Sequence, residues 1–247
     1  MPPSKAGLLI LTFIVAACQP SLTATPLPTT ETLPATLQTM PSATAAPVPP
    51  TATQTPVPAP RQFTEDFSGS VPNWRFVQVD NGQPLTVPSV ETGFLVFQFP
   101  EANQWVYGLY GPQEYSDVRV EARVETRAGD PGATGVICRY SEQGGWYELN
   151  VYADQTYVLL YGRWLAQGVA RYTSLVRAVS EKIQPAQNDI ALLCQGHTLT
   201  PFINGVQLRQ NPENTFGLET GEAGISAASF EAAPMTIAFD WVKVSEP

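Results

Sequence analysis

From Asp117 to Glu125 the chain alternates strictly: Val118, Val120, Ala122 and Val124 fall on one side, and Arg119, Glu121, Arg123 and Glu125 on the other. A period of two is the period of an extended strand, whereas a helix would scatter those four apolar residues around its axis. The strand therefore has one dry face and one wet face, and the dry face needs a second layer of structure to cover it.

Similar β signals recur along the chain. They run over Gly93 to Phe99, Trp105 to Tyr110, Thr134 to Tyr140, Trp146 to Tyr152, Tyr157 to Arg163, Asp189 to Gln195, Leu199 to Ile203, Ala223 to Phe230 and Met235 to Val244. Turn residues separate them: Gly144-Gly145, Ala153-Asp154-Gln155 and Asn204-Gly205, the last being the strongest hairpin signal in the sequence. Only Ser174 to Ile183 carries helical spacing, through Leu175, Val176, Val179 and Ile183, and Pro185 limits it to a short helix or a loop with one turn. Many strands joined by short turns predict an all-β protein of two antiparallel sheets.

The region able to form it is bounded by composition. Residues 19–60 are almost entirely Pro, Thr, Ala, Ser, Leu and Gln, with Glu31 the sole charge and no aromatic residue. Such a segment cannot bury a core; it reads as an extended tether able to span on the order of 100 Å at roughly 3 Å per residue. Residues 61–247 are of a size suited to one β-sandwich domain. The net charge is −9 with no Lys/Arg-rich run, which argues against a nucleic-acid partner and against adhesion to anionic lipid by charge.

At the N-terminus, Lys5 precedes an apolar run from Leu8 to Ala17 that is too short to cross a bilayer and has the layout of an export signal. It ends in Val15-Ala16-Ala17-Cys18, which resembles the lipobox of bacterial lipoproteins. The resemblance implies cleavage after residue 17, a diacylglyceryl group on Cys18, acylation of the new amino terminus, and a location on the extracytoplasmic face of a bacterial cell membrane, where several acyl chains anchor stably. The expected division is 1–17 signal peptide, 18–60 lipidated Cys and tether, and 61–247 folded domain. With Cys18 assigned to lipid, Cys138 and Cys194 remain as an even pair in an exported domain. A disulfide is the natural expectation, with two buried free thiols as the alternative.

The opening Phe63 to Ser68 with Asn73-Trp74, the block Gly135 to Ser141 followed by Gly145 to Leu149, the Asn204-Gly205 hairpin and the closing Ala238 to Val244 resemble the concanavalin A-like jelly rolls. Within that fold the motifs resemble laminin G-like domains and the 3-keto-disaccharide hydrolase family, over residues 63–245. The resemblance implies a two-sheet sandwich whose concave sheet can receive a sugar chain. It also implies a structural calcium where first and last strands meet; Asp66 and Asp240 lie in those segments with oxygen ligands suited to it. No other cofactor is expected.

Parity along the strands selects the residues of that face. If Tyr147, Leu149 and Val151 point to the core, Trp146, Glu148, Asn150 and Tyr152 point away from it; the same reasoning on the neighbouring strands adds Arg139, Tyr157 and Tyr161. Rings flanked by amide, carboxylate and guanidinium suit carbohydrate, because a pyranose packs its apolar face on a ring while its hydroxyls need donors and acceptors. No catalytic set stands out. Glu121 and Glu125 are four residues apart, roughly 13 Å along a strand, too far for paired-carboxylate glycoside hydrolysis. His197, the sole histidine, sits in a turn, and Glu148 is the best single candidate acid. The sequence thus reads as a monomeric, membrane-anchored, non-catalytic module binding a carbohydrate or surface polymer. A glycoside-active hydrolase of the 3-keto-disaccharide type and a structural envelope protein are the alternatives.

Overall fold

The computed structural model describes residues 59–79, 82, 84–128, 132–230 and 233–247. The signal segment 1–17, Cys18 and the tether as far as residue 58 lie outside the described residues. Ala59 packs against the core, its carbonyl accepting from Gln113 Nε2 at 2.8 Å, and the Pro60 carbonyl accepts from Tyr110 OH at 3.2 Å.

Sixteen strands and no helix occur among the described residues. In chain order they are β1 (Phe63–Glu65), β2 (Trp74–Gln78), β3 (Ser89–Glu91), β4 (Phe94–Phe99), β5 (Gln104–Tyr115), β6 (Val118–Ala128), β7 (Ala133–Ser141) and β8 (Gly145–Tyr152). There follow β9 (Thr156–Ala166), β10 (Val169–Val179), β11 (Gln187–Gln195), β12 (Thr198–Ile203), β13 (Val206–Gln207), β14 (Asn211–Pro212), β15 (Gly221–Ser229) and β16 (Met235–Ser245). One sheet has the order β13-β12-β11-β6-β16-β4-β3, with β1 on β16 and β14 on β12; the other has the order β10-β9-β8-β7-β15-β5-β2. All pairings are antiparallel, and the two layers make the expected jelly-roll sandwich.

The alternating strand read from the sequence is β6, at the centre of the first sheet. Val118, Val120, Ala122 and Val124 are buried in the core that Leu149, Leu159 and Ile225 of the other sheet share. Its wet face carries ion pairs within the strand, Arg119 with Glu121 and Arg127 with Glu125 at 3.3 Å each. Cys138 on β7 and Cys194 on β11 form the disulfide, so the bond joins the two sheets through the core. Asn204 and Gly205 both have positive φ, as a two-residue hairpin turn requires.

The segment with helical spacing is instead the edge strand β10. A bulge lies between Ser174 and Val176, so that Leu175 and Val176, neighbours in sequence, both pack against the core. The extra residue imitates the adjacent apolar pair of a helix face.

Candidate functional site

In the second sheet the face turned away from the core is formed by Trp105 and Tyr107 of β5, Ile137 of β7, Trp146 and Glu148 of β8, and Trp164 and Tyr172 of the β9–β10 hairpin. Between β5 and β10 stand four strands, hence five steps of about 4.8 Å or roughly 24 Å along the sheet. Yet Trp105 stacks on Tyr172 with centroids 4.6 Å apart, and the Tyr107 and Tyr172 hydroxyls are 2.6 Å apart. The sheet therefore curls into a trough, and side chains from its two margins meet across it.

Trp146 lies in the trough, packed edge-on against Tyr107 and tilted against Tyr140 and Trp164. It is fully buried, as are Glu148 and Asn150 beside it. The glycines of neighbouring strands make the room. A Cβ on Gly162 would lie 2.4 Å from Trp146 Cε2, and one on Gly135 would lie 2.3 Å from Ser226 Oγ. Glu148 Oε2 accepts from Trp146 Nε1 at 2.9 Å and Oε1 from Ser226 Oγ at 2.5 Å. Burial raises the pKa of this carboxyl above its ordinary value, and the donors around it oppose the rise only in part. Burial, reinforced by the Glu148 charge, likewise pushes the Tyr107 hydroxyl well up. Asn150 Nδ2 and Trp105 Nε1 are buried there without a hydrogen bond of normal geometry.

Of the residues proposed from sequence, Trp146, Glu148, Asn150 and Tyr152 do share one face, and Tyr152 stacks on Phe230 at 5.7 Å. The first three are enclosed, however, because the aromatic rings of β5 and β10 cover them. The facing of β9 is the reverse of the expectation. Tyr157 and Tyr161 pair with Val151 and Tyr147 and belong to the inter-sheet core, while Val158 and Leu160 face the trough. Arg139 is not on the concave face either: it sits in a bulge at positive φ. Its guanidinium donates to the carbonyls of Ser116, Gly196 and Leu218 at 2.7–2.8 Å and to Asp117 at 3.3 Å, tying loops together at the rim of the sandwich. Asp66 caps the Ser68 amide, and Asp240 lies 3.9 Å from Arg123, so each acid has a partner other than an ion. Among the described residues no three His, Cys, Asp or Glu side chains come together as a metal site. His197 is exposed in the β11–β12 turn.

What remains open to solvent lies at the end of the trough. A cleft of about 590 Å³ is bounded by Val77 of β2, Tyr140, Glu142 and Gln143 at the β7–β8 turn, and Trp164 and Leu165 at the β9–β10 hairpin. Trp164 Nε1 donates to Tyr140 OH at 2.8 Å, which fixes both rings at its floor, and Leu165 is 56% exposed at its lip. A neighbouring cavity of about 330 Å³ shares Tyr140 and Glu142 and adds Arg75, Glu114 and Glu222. Arg75 lies over the Tyr140 ring at 5.2 Å and bridges Glu222 at 2.8 Å and Glu142 at 3.8 Å. Burial raises the Glu222 pKa, with Arg75 opposing it. Sequence reasoning missed Trp164 because the β9 parity was inverted; Gly162, opposite Trp146, was the signal that could have set it.

No protein-family model matches this chain, and no curated protein matches it. Solved structures do. A Bacillus subtilis protein of unknown function with a galectin-like fold is similar at a TM-score of 0.54 and 14% identity, over 74% of this chain and 94% of that one. An endo-β-1,3-glucanase from Pyrococcus furiosus is similar at 0.52 and 14%, over 76% and 98%. A β-1,3-1,4-glucanase from a mouse hindgut metagenome is similar at 0.51 and 13%, over 75% and 99%. The fold is that of the galectin-like and concanavalin A-like jelly rolls.

Proposed function

We propose that the chain is a membrane-anchored lipoprotein, held through Cys18 outside the cytoplasm, whose sandwich binds a glycan without cleaving it. The ligand enters the cleft between the β7–β8 turn and the β9–β10 hairpin. The observation that carries this reading is the pairing of an open, ring-floored cleft at Tyr140 and Trp164 with a sealed trough around Glu148. The half-buried Trp164 indole and an apolar lip beside Glu142 and Gln143 offer a sugar both a packing surface and donors and acceptors. The best-placed acid read from sequence is out of reach of any substrate. Glucanases of the same fold support a saccharide as the ligand class.

Glycoside hydrolysis is the second reading, and one observation favours it: Glu222, raised in pKa by burial, and Glu142 face one cavity across Arg75. A glycan array probed with wild type and Trp164→Ala tests the proposal. Binding of a glycan by wild type that falls at least about tenfold in the variant, with no reducing ends released, supports it. No bound glycan contradicts it, and release of reducing ends that stops in Glu222→Gln favours hydrolysis instead.

A further inference from the structure

The other side of the β9–β10 hairpin holds a separate cluster. Arg163 of β9 and Arg171 of β10 are direct cross-strand partners, and both are exposed. Directly opposed residues have Cβ atoms about 5 Å apart, and like charges so placed repel. The protein has acid to spare, at a net charge of −9. Arg61, Arg75, Arg119, Arg123, Arg127 and Arg139 each have a carboxylate within 4.0 Å. Among the described residues Arg163, Arg171, Arg177 and Arg209 have none, and of these only Arg163 and Arg171 are paired with each other across two strands. Two guanidiniums held side by side without a counter-charge form a fork that a planar or tetrahedral oxyanion can close.

The surroundings are built rather than loose. The arginines line a cavity of about 240 Å³ with Tyr161, Thr173 and Phe216. Phe216 lies flat on Tyr161 with centroids 3.8 Å apart and planes within 10°. Tyr161 is pinned through its hydroxyl to the Gly144 carbonyl at 2.7 Å. Phe216 is held from behind, since Glu213 accepts from the amides of Thr215 at 2.6 Å and Phe216 at 3.0 Å, and from Tyr147 OH. Burial alone would raise the Glu213 pKa, but these donors outweigh it and hold the carboxyl below its ordinary value. The buried anion thus braces the loop that presents the ring. The cavity is smaller than the roughly 300–1,000 Å³ of pockets for drug-sized ligands, a size for one ring and its substituent.

We propose that Arg163, Arg171, Thr173 and Phe216 form a second binding site, distinct from the Trp164 cleft, that takes one acidic sugar residue of an anionic polysaccharide. The sugar ring packs on Phe216, Thr173 offers a hydroxyl, and the carboxylate or sulfate sits between the two guanidiniums. A sparsely charged sugar polymer places one anion there at a time, whereas the protein's net charge of −9 repels a dense polyanion such as nucleic acid.

Affinity electrophoresis of the full-length chain tests this in gels containing highly methyl-esterified pectin, lightly sulfated dextran or neutral dextran, the first two carrying widely spaced carboxylates and sulfates. Wild type is expected to be retarded in one or both acidic gels and not in neutral dextran, and the gel that retards it identifies carboxylate or sulfate as the group recognised. Arg163→Gln and Arg171→Gln should each weaken retardation about tenfold, the double variant should abolish it, and about 0.5 M salt should suppress it in wild type. Both positions are exposed, so circular dichroism and melting temperature should confirm that the variants fold. Absence of retardation in both acidic gels overturns the proposal, as does retardation unchanged in the double variant. Equal retention of double-stranded DNA, lost in the same variant, overturns the assignment to a polysaccharide. The neutral-glycan array reads the Trp164 cleft separately, so either site can fail without the other.

Discussion

Placing a single methyl group at Gly162 would test whether the trough is as solid as its geometry implies. An alanine Cβ there would lie 2.4, 2.5 and 2.8 Å from Cε2, Cζ2 and Nε1 of Trp146. The indole has no free direction in which to retreat, being fully buried between Tyr107, Tyr140 and Trp164 and bound to Glu148 at 2.9 Å. Overpacking of this kind costs about 1–3 kcal/mol. Displacing the indole from a charged acceptor costs about 1.5–3 kcal/mol more. Together they come to about 2.5–6 kcal/mol, a large part of the 5–15 kcal/mol that typically holds a domain folded. Gly111 on β5 is the control: a Cβ there meets nothing within 4 Å, and Ala should be neutral or stabilising by up to about 1 kcal/mol. Urea unfolding followed by tryptophan fluorescence measures both. If Gly162→Ala unfolds within about 1 kcal/mol of Gly111→Ala, the trough is loosely packed and the reasoning fails.

The buried carboxylate gives a pH signature. Because burial raises the folded-state pKa of Glu148 above its unfolded value, the group's contribution is fully present below the unfolded pKa and is lost as pH rises through the folded one. Glu148→Gln removes that titration, so the variant should gain stability relative to wild type between about pH 4 and pH 8. At the acid end it should stay within about 1 kcal/mol of wild type, and denaturant titrations at the two pH values read the difference. Ser226→Ala removes a donor to the same carboxylate and should steepen the loss of stability with pH. A difference between Glu148→Gln and wild type that does not change with pH would mean that Glu148 is not desolvated.

The two-sheet fold could be read from local pattern because an antiparallel strand records its dry face in every second residue, as β6 does with Val118 to Val124. The disulfide was equally legible, since Cys138 and Cys194 each sit among inward-facing apolar neighbours. The facing of β9 was not. Every second position from Tyr157 to Tyr161 is aromatic or aliphatic, and so is the set between them, so alternation carries no information in a strand buried on both faces. The closure of the trough was hidden for a different reason. It depends on Trp105 and Tyr172, distant in sequence and five steps apart in the sheet, meeting across a curvature that no single strand encodes. Arg139 was misplaced by a bulge and β10 by another, and an inserted residue breaks the parity on which such reasoning rests.

The central claim is that a glycan meets Trp164 at the mouth of the trough and not Trp146 within it. The chain has five tryptophans, and their indole N–H resonances separate the two sites in one titration with a glycan selected on the array. The account predicts that the Trp164 signal shifts with saturation while those of Trp146 and Trp105 stay in place. A Trp146 signal that shifts with ligand while Trp164 does not would contradict it, because the ligand would then have entered the trough that these side chains are held to fill.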